Sequence, residues 1–288
     1  EKKLREQSPL EKPLGIIAFN STRDGHQGIY TMNGDGSTIK KLTKDGVIQS
    51  SPIWSPDGKK IAFLAHQEGR SDCSLNVMEW DGSNEKQLHT GVKNEWVNCV
   101  WSPNGNRIAL SYIDKDAVDG TVWVMDADGR NKTIAATAGG SQFTQIKWQP
   151  DGNGLIMVSE GQYNKDSSRI SLRNLNNASS PGWVLADKTL RTYLLGFLAD
   201  GRLIYANRDR SGNEGYLRVF DITTQKETTI DDKCHFGSIS LSNDRRKIAI
   251  IYQGSVYVTD TKKLDWQMMS QGTFEGPITW SPDDKWLV

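Results

Sequence analysis

An aromatic anchor followed by a tight turn returns along this chain at nearly constant spacing. In SPIWSPDGKKIAFL (51–64), two short apolar runs flank the turn SPDG. Pro56 pre-sets φ for the second turn position and Asp57 can bond its own backbone. Gly58 accepts the left-handed conformation that closes a type I turn with a bulge. The segment is therefore a predicted β-hairpin. One hairpin is marginal in water, but this one recurs. Its anchor position is filled by Trp54, Trp101, Trp148, Phe197, Leu241 and Trp280, at spacings of 47, 47, 49, 44 and 39 residues. A period of roughly 40–45 residues with four strands per repeat is the signature of a β-propeller.

The strands within a unit can be read in order. IIAFN (16–20), GIYTMN (28–33) and TIKKLT (38–43) precede the hairpin, and LNVMEW (75–80) and EKQLHT (85–90) follow it. Short DG-containing turns join them, so each unit reads as a four-stranded antiparallel meander. Inner strands packed on both faces should be continuously apolar, as KIAIIY (247–252) and GLIMVS (154–159) are. Outermost strands have a wet edge and should be polar, as IKKLT, EKQLHT and KETTI are. Residues 189–198 read locally as a helix, but the period assigns them to a strand.

The first unit lacks an innermost strand, because no W-SPDG precedes IIAFN. The last unit supplies one, GPITW (276–280), from the other terminus. The expectation is an all-β, six-bladed β-propeller of four-stranded antiparallel blades over 15–288, closed by pairing the N- and C-terminal strands. KWLV (285–288) competes with IIAFN for one place, so a clipped seven-bladed propeller is the alternative. The charged, proline-containing segment 1–14 is expected to be a linker or tether.

Lysine plus arginine number 35 and aspartate plus glutamate 35 in 288 residues. That neutrality argues against nucleic acid or an anionic membrane as the main partner. No apolar run approaches the ~18 residues of a membrane span. Cys73, Cys99 and Cys234 form no Cys-x-x-Cys pair, which disfavours zinc or dithiol redox chemistry.

The segments TRDGHQGIYTMNGDGSTIKKLT (22–43) and SPIWSPDGKKIAFLA (51–65) resemble the TolB-like propeller repeat. That repeat runs S-x-R-D-G, I-Y-x-M-N-x-D-G-S, L-T and W-S-P-D-G-x-x-I-A-F in this order. The resemblance implies six blades closed by a terminal W-S-P strand beside an N-terminal I-A-F strand. TolB itself carries an α/β domain ahead of its propeller, where this sequence has 1–14. Similar repeats occur in the propellers of prolyl-oligopeptidase relatives, tricorn-type proteases, oligogalacturonate lyases and extracytoplasmic halves of bacterial membrane regulators. The repeat specifies fold far more than function.

Catalytic signals are weak. There is no G-x-S-x-G. His26, His66, His89 and His235 fall at unrelated repeat positions, which disfavours a convergent metal or acid–base site. The Asp/Asn/Gly turns at 33–37, 81–84 and 126–129 lack the full calcium-loop series and read as hairpin turns. No catalytic residue, metal or cofactor is expected.

The residues just before each innermost strand are more informative, because they rim the central channel. Five units place an aromatic there: Trp96, Phe143, Tyr193, Phe236 and Phe274; the sixth has Gln49. Charged neighbours are Glu95, Arg191, His235 and Glu275. An aromatic ring with a few charges at a concave mouth suits a peptide segment or a glycan; packing between blades is the competing reading for each. The expected function is a non-enzymatic protein-interaction or sensor module of the bacterial cell envelope, periplasmic or otherwise extracytoplasmic, binding a partner polypeptide at the mouth. The alternatives are a carbohydrate-active lyase or hydrolase on the funnel, or the gating propeller of a peptidase whose catalytic domain lies elsewhere.

Overall fold

A computed structural model of the chain describes residues 15–69, 72–93, 97–113, 119–139, 141–161, 168–177, 184–187, 191–209, 215–232, 236–274, 276–281, 284, 285 and 287. The tether 1–14 lies outside the described residues. The regular structure is all β, arranged as a six-bladed propeller. The first blade contains β1 (Ile16–Ser21), β2 (Gly28–Asn33) and β3 (Lys40–Lys41). The second contains β4 (Ile48–Trp54), β5 (Lys60–His66), β6 (Asp72–Glu79) and β7 (Lys86–Lys93). The third contains β8 (Asn98–Trp101), β9 (Arg107–Ile113), β10 (Gly120–Asp126) and β11 (Thr133–Thr137). The fourth contains β12 (Ser141–Trp148), β13 (Gly154–Gly161), β14 (Ser168–Asn174) and β15 (Val184–Asp187). The fifth contains β16 (Arg191–Phe197), β17 (Leu203–Arg208), β18 (Gly215–Asp221) and β19 (Lys226–Asp231). The sixth contains β20 (Ser238–Leu241), β21 (Lys247–Tyr252), β22 (Ser255–Asp260) and β23 (Gln267–Ser270). Each blade is an antiparallel meander in chain order. The helix-like stretch after residue 189 is the strand β16.

The turn chemistry operates as the sequence predicts. Ser55 Oγ donates to Asp57 Oδ1 at 2.6 Å, and the Lys60 amide donates back to Ser55 Oγ at 2.9 Å. Gly58 sits at φ 69°, where a Cβ would be strained. Ser102 with Asn104, and Ser242 with Asp244, repeat the arrangement.

Burial follows strand position. Five central residues of β5 and four of β21 are buried, whereas β23 is exposed throughout. The core is divided into six apolar clusters, five between successive blades and a sixth on the far face of the sixth blade. Ile29 meets Ile61 and Phe63 between the first two blades, and Leu75 and Leu88 meet Trp101 and Leu110 at the next. Ile204 meets Ile248 and Ile250 between the fifth and sixth. At the sixth blade's far face, Ile251 meets Ile278, with Trp280 and Leu287 packed alongside.

The anchor tryptophans also bond across junctions. Trp101 Nε1 donates to the Ile53 carbonyl, Trp148 Nε1 to Val100 and Trp280 Nε1 to Ser240, at 3.1–3.3 Å. Each acceptor directly precedes the anchor of the previous unit. Residues 276–280 thus sit on the sixth blade as an innermost strand does, and Trp280 bridges Leu287. Leu287 takes the second-strand place beside Trp280. β1 pairs with β2 and, among the described residues, not with residues 276–280, so the expected pairing of the two terminal strands is not made.

Candidate functional site

The mouth is built where the innermost strands begin. Bulges interrupt β4 between Ser50 and Ile53, β12 between Phe143 and Gln145, and β16 between Leu194 and Gly196. A bulge turns the strand and re-aims the side chains ahead of it. One repeat position, three residues before the anchor, then clamps the next blade. Gln145 Nε2 donates to the Thr192 carbonyl, and the Leu194 amide donates to Gln145 Oε1, both at 2.7 Å. Asn98 Nδ2 reaches the Phe143 carbonyl at 3.4 Å, and Ser238 Oγ accepts from the Ile278 amide at 2.9 Å.

The rim aromatics divide into two groups. Phe143 is buried, packed against Ala135 and Val122 of the third blade. Phe236 is also buried and meets the half-buried Tyr193 edge to face, ring centroids 5.4 Å apart. Arg208 Nη1 holds the Phe236 carbonyl at 2.8 Å. Phe274 is 44% exposed. Arg191 opens β16 on the surface, in register with Arg208. Gln49, the odd member, is buried and bonded to Thr43 and the Lys44 carbonyl. Trp96, Glu95, His235 and Glu275 lie outside the described residues.

Tyr193, Phe236 and Phe274 are brought together along one arc. A cleft of about 170 Å³ is lined by Gln145, Tyr193, Phe236 and Ser238. A second, of about 480 Å³, is lined by Ser238, Gln253, Phe274 and Pro277. The two share Gly237 and Ser238.

The family model "Eukaryotic translation initiation factor eIF2A" matches residues 18–161, half of the chain, which belongs to that family of propellers. A Tol-Pal system protein TolB from Desulfosudis oleivorans is 32% identical over 82 residues, 28% of this chain and 19% of that protein. This chain is a TolB-like β-propeller. The solved TolB of Acinetobacter baumannii is similar with a TM-score of 0.55 at 17% identity, over 91% of this chain and 65% of that one. An oligogalacturonate lyase in complex with manganese gives a TM-score of 0.72 at 16% identity, over 94% of this chain and 81% of that one. At such identities the likeness is one of fold.

Two residues of this TolB-like propeller were not singled out by sequence. Gln145 is the inter-blade clamp described above. Lys147, on the same strand, precedes the anchor Trp148, a place held by Ile53, Val100 and Ser240 in other blades. Its Cδ lies 3.9 Å from the Cβ position that Gly196 leaves empty, and Leu241 Cδ2 lies 3.7 Å from the same position. Water reaches the side chain, yet protein crowds it, and this desolvation lowers the pKa of its ammonium. A lysine among neutral residues at one repeat position was the signal available in the sequence.

Away from the mouth, Cys73 and Cys99 are buried free thiols; Cys234 lies outside the described residues. His89 bonds Tyr112 at 2.6 Å inside the junction between the second and third blades, and His26 is exposed. Among the described residues, no three histidine, cysteine, aspartate or glutamate side chains gather into a metal-binding group. Nor is any helix among them long and apolar enough to cross a membrane.

Proposed function

We propose that this TolB-like propeller is a non-enzymatic protein-interaction or sensor module acting outside the cytoplasm, and that it takes a partner's polypeptide at the channel mouth. The observation that carries the reading is the continuity of the two clefts walled by Tyr193, Phe236 and Phe274. Together they offer a slot walled by aromatic rings and edged by polar side chains, which suits a peptide segment. Phe274 supplies the exposed aromatic surface that binding hot spots favour. The relative named as a Tol-Pal system protein supports a role among other proteins and, by analogy, a place in the cell envelope.

The test is selection of displayed linear peptides on the folded protein, followed by affinity measurement. Enriched peptides should lose at least about tenfold in affinity for Phe274→Ala, with the melting temperature unchanged. Peptides that bind wild type and Phe274→Ala alike, or a protein that retains oligosaccharides and no peptide, would contradict the proposal.

A further inference from the structure

The junction between the third and fourth blades is built differently from its neighbours. One junction earlier, three large side chains pack together at the margin of the core, where Tyr112 is buried. His89 of β7 bonds Tyr112 of β9, and its ring lies 5.2 Å from that of Tyr112 and 5.8 Å from that of Trp123 on β10. Strand register identifies the corresponding residues in the next unit. His89 pairs with Leu75 just past a bulge, as Ala136 pairs with Val122. Tyr112 pairs with Thr121, as Ser159 pairs with Arg169, and Trp123 pairs with Leu110, as Ser171 pairs with Met157. A histidine, a tyrosine and a tryptophan are thus replaced by Ala136, Ser159 and Ser171.

The replacement leaves an open slot of about 520 Å³ lined by all three small residues. Arg169 and Arg173 stand on the same side of β14 as Ser171 and also line it. Alternate residues of a strand share a face, so the two guanidinium groups flank the place where Trp123 sits in the preceding unit. Arg169 is exposed, and Ile134, 53% exposed, forms part of the same wall.

We propose that this slot is a second peptide-docking site, which takes an aromatic side chain of a partner polypeptide flanked by carboxylates. The aromatic would occupy the space that Tyr112 and Trp123 fill in the adjacent junction, and the carboxylates would meet Arg169 and Arg173. Guanidinium groups pair with carboxylates in strong, directional geometry, and a buried aromatic with charged flanks is a common anchor. The slot borders the buried rim residue Phe143 but shares no lining residue with the two clefts of the mouth, and neither proposal depends on the other.

The probe is a fluorescein-labelled hexapeptide with one tyrosine flanked by glutamates, titrated with the whole chain and followed by anisotropy. Saturable binding is expected. It should weaken at least tenfold in the surface variant Arg169→Glu and in Ser159→Tyr/Ser171→Trp, which restores the bulk of the neighbouring junction. Replacing the probe's tyrosine with alanine should abolish binding, whereas Tyr193→Ala at the mouth should leave it unchanged. A flat titration to millimolar protein, or wild-type affinity in folded Arg169→Glu, would overturn the proposal. So would loss of binding in Tyr193→Ala, which would place the peptide at the mouth instead.

Discussion

The indole nitrogen of Trp101 donates to the backbone carbonyl of Ile53, 3.2 Å away across the boundary between two blades. Trp148 and Trp280 repeat the bond one and four units later. Trp54 occupies the same repeat position, but the blade before it contributes no innermost strand, and its buried Nε1 has no partner among the described residues. The anchor is thus a packing residue everywhere and a hydrogen-bond donor only where an inner strand precedes it.

That contrast sets the first prediction. Trp101→Phe removes a bond to the Ile53 carbonyl, whereas Trp54→Phe removes a donor already unpaired. A buried hydrogen bond contributes about 1 kcal/mol net. Trp101→Phe should therefore destabilise the fold by about 1 kcal/mol more than Trp54→Phe in urea denaturation. Equal losses would show that packing alone fixes the anchor.

Lys147 sets a second. Crowding by protein lowers its pKa below the ordinary lysine value of 10.5. A base whose folded pKa is depressed destabilises the fold fully below that folded pKa. The penalty fades as pH rises toward the unfolded value. Lys147→Met should therefore raise the urea midpoint at pH 7, with an advantage that shrinks by pH 10.5. A variant less stable than wild type at pH 7 would contradict this reading.

The turn aspartates set a third, of opposite sign. The Ser55 hydroxyl, then the Lys59 amide, hold the Asp57 carboxyl below the ordinary carboxylate range. Asp244 is lowered first by Ser242, and Asp81 by Ser83. A depressed carboxylate contributes stability above its unfolded pKa of about 3.9, and loses it as pH falls through the folded value. Melting temperature should fall below about pH 4, and Asp57→Asn should flatten that slope while lowering stability at pH 7. An unchanged acid slope would argue that these turns are electrostatically silent.

The thiols set a fourth. Burial pushes Cys73 up to about 11 and Cys99 up to about 12. Because the thiolate is the reactive species, Cys234→Ser protein should react negligibly with a thiol reagent at pH 8 when folded. Two thiols should react in denaturant. Rapid labelling of the folded variant would contradict the burial of both.

Most of the fold was legible because its signals are local. A serine, an aspartate and a glycine at fixed offsets specify the turn whatever surrounds them, and the anchor spacing fixes the unit. The outer strands were less legible: TIKKLT pairs only over Lys40–Lys41, because an edge strand has one partner and little burial to hold it. The mouth was half legible. Position before an inner strand places Tyr193, Phe236 and Phe274 on one arc, but cannot tell the buried Phe143 from the exposed Phe274, since that depends on the neighbouring blade. Gln145 and Lys147 escaped notice for the same reason.

The most direct test of mouth binding is site-specific photocrosslinking. A photoactivatable benzoylphenylalanine is placed at Phe274, and in a control at the exposed Ile39 beside the outermost strand of the first blade. Each protein is mixed with a peptide enriched by display and irradiated. Binding at the mouth predicts a crosslinked adduct from position 274 that unlabelled peptide competes away, and none from position 39. Equal adducts from both positions, or none from 274 at saturating peptide, would contradict it.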